Sequence, residues 1–113
     1  DPVQEQLEQS AEIKAGWVEL HTGKYALTKN DERALELSIL KESTEKAKSY
    51  GLKVNAGHGL TYQNVEPIAA IKGIEELNIG HTIISRALAV GLAQAVKEMK
   101  YLIINPRKDN CFL

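Results

Sequence analysis

The sequence contains three histidines, and each belongs to a short polar cluster that directly follows an apolar segment. Glu19 stands with His21, Thr22 and Gly23. Asn55-Ala56-Gly57-His58-Gly59 forms a second cluster, and Asn78-Ile79-Gly80-His81 a third. An imidazole exchanges protons near neutral pH, so histidines gathered in one place suit acid–base chemistry. Histidines scattered at random along 113 residues would rarely all fall at such points. The coincidence predicts one shared pocket.

Each cluster also has a purely structural explanation. The glycines flanking His58 remove bulk and let backbone and imidazole approach a ligand, but the same pattern suits a hydrogen-bonded tight turn. Gly80-His81 leads into a helix whose free N–H groups and dipole suit phosphate, although His81 can equally serve as a simple cap. Glu19 alternates with Val18 and Leu20 and so points away from them. A carboxylate there is either functional or held in an ion pair. Asn55 and Asn78 alternate in the same way and are expected to satisfy backbone groups. Trp17 is expected in the core or against a helix, since no basic residues interleave with aromatics around it.

The clusters need elements to position them. Asp1 and Pro2 open a helix running to about Lys14, with Val3, Leu7 and Ala11 at helical spacing and Gly16 ending it. Trp17–Leu20 follows as a strand, then a loop to about Lys29. Asn30 or Asp31 caps a second helix with Ala34, Leu37, Leu40, Thr44 and Ala47 on its apolar face. The charged run from Lys41 to Lys48 forms its solvated side, and Gly51 its stop. Leu52–Asn55 is the next strand. Asn64 caps a short helix carrying Val65, Ile68 and Ala69, tolerating Pro67 in its first turn and closing at Gly73. Glu76–Ile79 is the third strand. The apolar stretch from Ile83 to about Ile103 forms one helix, or two that meet near Gly91.

The order αβαβαβα cannot form hairpins, so the strands are expected to be parallel with right-handed crossovers. The fold class is therefore α/β, and reactive groups in such folds collect at the C-terminal ends of the strands. A closed (β/α)8 barrel takes about 250 residues, so three strands would form only part of one. A doubly wound dinucleotide fold is the competitor, but no Gly-x-Gly-x-x-Gly sequence follows any strand.

Composition narrows the partners. Of the residues, 26% are charged and 43% hydrophobic, ordinary values for a soluble globular domain. Fourteen Lys and Arg against fifteen Asp and Glu give a net charge of −1, which disfavours nucleic acid and anionic lipid. No apolar run reaches the roughly 18 to 20 residues of a bilayer span, and the first residues lack a signal-peptide pattern, so a cytoplasmic location is expected by default. Cys111 is the single cysteine, which rules out an intrachain disulfide or a cysteine metal cluster. The start without methionine, in mid-pattern, suggests processing or a fragment. Residues 1–104 are expected to form one part-domain, with 105–113 as a tail.

The segments Trp17-Val18-Glu19-Leu20-His21-Thr22-Gly23, Gly51-Leu52-Lys53-Val54-Asn55-Ala56-Gly57-His58-Gly59-Leu60-Thr61-Tyr62 and Glu76-Leu77-Asn78-Ile79-Gly80-His81 resemble successive late-barrel motifs of the pyridoxine 5′-phosphate synthase family. Order and approximate spacing match too. The resemblance runs from Asp1 to about Met99 and fades after Tyr101.

It implies a TIM (β/α)8 barrel of which this chain covers about the last three β/α units plus a preceding helix. It implies condensation of 1-deoxy-D-xylulose 5-phosphate with 3-amino-2-oxopropyl phosphate to pyridoxine 5′-phosphate, phosphate and water, with no metal or organic cofactor. Carried over by motif, His58 would be the proton donor and Glu19 a transition-state stabiliser. Gly59, Gly80 and His81 would contact the aminoketone phosphate. Family members also take a histidine and a glutamate as proton acceptors, and an arginine, from the first half of the barrel, so the isolated chain is expected to be inactive. The competing expectations are another phosphate-binding barrel enzyme, and a non-catalytic fragment that pairs its open edges with itself. Phosphorylated small molecules and a homo-oligomer are the expected partners.

Overall fold

A computed structural model describes residues 4–12 and 16–106. The expected cap at Asp1 and Pro2, Val3, the helix end near Lys14 and the tail beyond Pro106 lie outside the described residues. Six helices and three strands are found among the described residues: α1 (Gln4–Glu12), β1 (Trp17–His21), α2 (Gly23–Leu27), α3 (Asn30–Ser49), β2 (Lys53–Gly57), α4 (Val65–Ala69), β3 (Ile74–Asn78), α5 (His81–Val90) and α6 (Leu92–Ile104). Only α2 was not expected, since the sequence suggested a loop from His21 to about Lys29. A helix opening on glycine and lasting five residues carries too little periodicity to be read from sequence.

The strands form one parallel sheet in the order β1-β2-β3. Parallel neighbours require a crossover, and α3 supplies the first and α4 the second. β2 and β3 differ by one or two residues from the expected Leu52–Asn55 and Glu76–Ile79. β2 continues through Gly57, and β3 starts at Ile74. The ladder between β2 and β3 is irregular at Val54/Asn55, so Val54 pairs with Ile74 but Asn55 with Glu76. The extra residue, Glu75, leaves Glu76 and Asn78 on the same face as Asn55 and Gly57.

The sheet has two unlike faces. Leu20, Val54 and Ala56 point into a core completed by Leu37, Leu40 and Ala47 of α3 and by Val65 and Ile68 of α4. The other face carries Trp17, Glu19, Lys53, Glu76 and Asn78, all exposed. Trp17 is therefore not a core residue. It is 49% exposed, with the Lys53 ammonium 4.9 Å from its ring centre, because this face of the sheet has no covering layer among the described residues. Along α3 the buried positions are Glu36, Leu37, Leu40, Ser43, Thr44 and Ala47, while Lys41, Glu42, Glu45, Lys46 and Lys48 face water. α1 lies against α3 through buried Leu7, and Tyr50 donates a hydrogen bond to the Glu8 carboxylate at 3.0 Å.

The apolar stretch near the end forms two helices separated at Gly91, whose φ of 87° is a left-handed value that glycine adopts without strain. α6 packs on α4 and α5 and buries Ala95 and Met99. α5 buries no side chain fully, leaving Ile84 60% and Leu88 89% exposed. Arg86 and Glu98 tie the two helices by two hydrogen bonds of 2.9 and 3.1 Å. That pairing lowers the Glu98 carboxyl below its ordinary value, first through the hydrogen bond and then through the Arg86 charge.

Two measurements check this packing. Ile68→Ala removes a fully buried side chain and is expected to cost about 2–5 kcal/mol in urea unfolding. Leu88→Ala should stay within about 0.5 kcal/mol. Because the folded-state pKa of Glu98 is depressed, the stability that its pairing adds is present above the ordinary glutamate value and lost as pH falls through the lowered one. Glu98→Gln should therefore flatten that part of the acid-unfolding profile and leave the neutral region's slope unchanged.

Candidate functional site

Position 57 in the central strand decides how closely the strand ends approach. Register places His21 beside Gly57 and Gly57 beside Asn78, one row across the sheet. A Cβ on Gly57 would lie 2.5 Å from Glu19 Oε1 and 2.9 Å from the Asn78 carbonyl. With glycine there, the Glu19 carboxylate accepts a 3.0 Å hydrogen bond from Asn78 Nδ2 across the middle strand. Glu19 is exposed and, among the described residues, has no ion-pair partner. Asn78 bonds a side chain rather than the expected backbone group. Asn55 departs further from expectation, because its buried Oδ1 has no hydrogen-bond partner among the described residues. An unsatisfied acceptor of this kind costs about 1–3 kcal/mol, and this one lies on the same sheet face as Glu19.

The chain turns sharply after β2. His58 has φ of 89°, and Gly59 has φ of 75°. For a residue with a side chain such a conformation costs on the order of 1–3 kcal/mol and persists only where neighbours enforce it. Those neighbours are identifiable. Thr22, fully buried, occupies the position before α2 where a hydroxyl would normally cap the helix. Its hydroxyl instead donates to the His58 carbonyl at 2.6 Å, while its N–H bonds the Gly57 carbonyl at 2.8 Å. Asn64 Nδ2 donates to the Gly59 carbonyl at 3.2 Å, and Asn64 Oδ1 accepts from the Thr61 N–H at 2.7 Å. Asn64 itself is fixed by Tyr25, whose buried hydroxyl donates to its carbonyl at 2.6 Å. Asn64 thus stands at the predicted start of α4, yet its side chain braces the loop rather than capping the helix.

At the third strand end, Gly80 precedes α5 and its carbonyl accepts from the Ile83 and Ile84 N–H groups. The N–H groups of His81 and Thr82 open the helix, where no preceding turn supplies acceptors. They stand at the positive end of a ten-residue helix.

All five residues singled out by sequence reach one cleft of ≈1200 Å³: Glu19, His58, Gly59, Gly80 and His81 line it, together with His21, Thr61, Asn78 and Ser85. Gln6 adds a wall from α1. That Thr22, Tyr25 and Asn64 brace the loop was not legible in the sequence, which offered Thr22 only as a cluster member and Asn64 only as a cap, because their bonds span 36, 39 and five residues and only the folded register aligns them. Among the described residues, no group of three or more His, Cys, Asp or Glu is placed to hold a metal ion. Nor is any described helix long and apolar enough to cross a membrane.

The arrangement offers exposed imidazoles, a carboxylate and a helix start around an open cavity at the C-terminal ends of parallel strands. It is the layout of a parallel α/β protein whose three strand ends border one cavity. Within that class, the chain belongs to the family described as pyridoxal phosphate biosynthesis protein PdxJ, whose sequence model matches residues 1–105. It is 83% identical over 113 residues to a pyridoxine 5′-phosphate synthase of Prochlorococcus marinus (strain NATL1A) and 84% identical to one of strain NATL2A, and all of it is matched in both. A Synechococcus sp. (strain WH7803) protein of the same name is 62% identical over 112 residues. The chain spans 45–46% of the length of these relatives.

Thr22→Val is the direct test of the loop bracing. It keeps the shape but leaves the His58 carbonyl without this donor, and should lower unfolding free energy by about 1–3 kcal/mol in a denaturant titration. An unchanged midpoint would mean that the bond does not hold the loop.

Proposed function

We propose that this chain forms the proton-donor and phosphate-binding side of a pyridoxine 5′-phosphate synthase built as a (β/α)8 barrel, of which it supplies about the last three β/α units. The observation that carries the reading is the single cleft in which Glu19, His58, Gly59, Gly80 and His81 meet. In this reading the substrates are 1-deoxy-D-xylulose 5-phosphate and 3-amino-2-oxopropyl phosphate. The Gly59 backbone, Gly80 and the N–H groups at His81 receive the aminoketone phosphate. His58 donates a proton to a departing oxygen during dehydration. Glu19, held by Asn78, stabilises positive charge that develops as the imine nitrogen forms and the ring closes. None of these steps calls on a metal or organic cofactor.

A barrel also accounts for the exposed polar sheet face. The side of β1, β2 and β3 that carries Glu19, Asn55 and Glu76 would become the barrel interior, and the two open edges would pair with the remaining strands. Proton acceptors and the pentulose phosphate contacts would come from that remainder, so these 113 residues alone are not expected to perform the reaction. Ile84, Leu88, Leu92, Tyr101 and Ile104, all well exposed, favour association of the finished barrel into a homo-oligomer. A cytoplasmic setting suits the phosphorylated substrates.

The test supplies both substrates to the purified chain, and to a chimera in which it replaces the matching segment of the Prochlorococcus marinus (strain NATL1A) relative. The chimera should form pyridoxine 5′-phosphate and the isolated chain none. Product from the isolated chain, or an inactive but folded chimera, would refute the assignment. In the chimera, His58→Asn should lower kcat by about 10²–10⁴-fold, the usual contribution of a positioned acid.

A further inference from the structure

His21 lines the cleft but has no part in the chemistry proposed for Glu19, His58, Gly59, Gly80 and His81. Its ring stacks on that of His58, with centroids 4.2 Å apart and planes 27° from parallel. The contact joins the ends of two strands, since His21 closes β1 and pairs in register with Gly57, the residue before His58. Gly23 lies close against both rings. A Cβ there would fall 2.5 Å from His21 Cε1 and 3.0 Å from His58 Cδ2. The His21 ring is itself anchored, because its Nδ1 accepts the Gly23 N–H at 3.2 Å. The neutral ring therefore carries its proton on Nε2. Thr22, between these two residues, holds the His58 carbonyl, so that backbone and ring of His58 are both fixed from the segment 21–23.

We infer that His21 is a positioning residue for His58: a fixed, neutral aromatic platform that sets the direction in which the His58 imidazole presents its proton to the cleft. The inference rests on the acid role of His58 proposed above. Two features make the platform suitable for a donor. An imidazolium is attracted to the face of a neutral aromatic ring. A platform pinned at Nδ1 by a backbone N–H also keeps its own orientation while its neighbour changes charge. Face-to-face placement of the rings restricts rotation about the His58 Cα–Cβ bond, which an exposed histidine in a turn would otherwise retain.

The test has a spectroscopic and a kinetic arm. In the isotope-labelled 113-residue chain, the His21 ring should be the Nε2–H tautomer. The His58 ring protons should lose their ring-current displacement in His21→Ala and regain it in His21→Phe. In the chimera, His21→Ala should lower kcat by about 10–100-fold with KM little changed, the scale expected when a reacting group is displaced by around an ångström. His21→Phe should restore most of the loss. His58 ring resonances that do not respond to His21→Ala would overturn the stacked arrangement. Restored resonances with kcat still at the alanine level would show that His21 acts through its nitrogens, and would overturn the platform role. An inactive parent chimera would count against the family-derived chemistry, while the resonances would still decide the stack.

Discussion

The contact between Glu19 and Asn78 passes over the middle strand at the one position where that strand has no side chain. Gly57 makes this possible, since any Cβ there would intrude on the Glu19 carboxylate and on the Asn78 backbone. The register then does the rest. With His21, Gly57 and Asn78 in one row, the three loops that follow the strands leave the sheet side by side and border one cavity. A substitution that displaced β2 by one residue would turn Gly57 to the other face and separate Glu19 from Asn78.

A second layer of bonds turns this alignment into fixed geometry. The His58 loop adopts left-handed backbone conformations at two consecutive residues. It is held from the β1–α2 junction and from α2 through Thr22 and Tyr25, and from its own continuation through Asn64. The loop is also linked to the final helix, where Tyr62 donates to the Ala95 carbonyl at 2.7 Å. Burial pushes the Tyr62 hydroxyl above its ordinary value, with the Glu98 carboxylate adding to the effect and Arg86 opposing it. Together these ties connect the segment bearing His58 to the β1–α2 junction, to α2 and to α6, and strain at His58 is balanced by hydrogen bonds rather than by packing alone.

Much of this was legible in the residues. Alternation around Glu19, Asn55 and Asn78 fixed which side of each strand faces the cleft, and the glycines at 51, 73 and 91 marked real chain reversals with positive φ. Strand boundaries slipped because Ala56 and Gly57 look like turn residues, yet parallel pairing on both sides keeps them in the ladder. Trp17 misled because large aromatics usually find a core, whereas this one lies on the sheet face that no described element covers. The stack of His21 on His58 was beyond reach, since two histidines 37 positions apart meet only through strand register. A histidine at a strand end, followed by Thr-Gly, was the only sequence sign that something beyond a turn was built there.

The central claim is that the three strand ends form one site for a phosphorylated ligand. Titrating the ¹⁵N-labelled chain with 3-amino-2-oxopropyl phosphate, followed by amide NMR shifts, tests it most directly. Saturable shifts should appear together, with one dissociation constant, at residues 57–61 and 80–82 and at Glu19. Shifts confined to one of these segments, or spread over the lysine-bearing side of α3, would contradict a shared site.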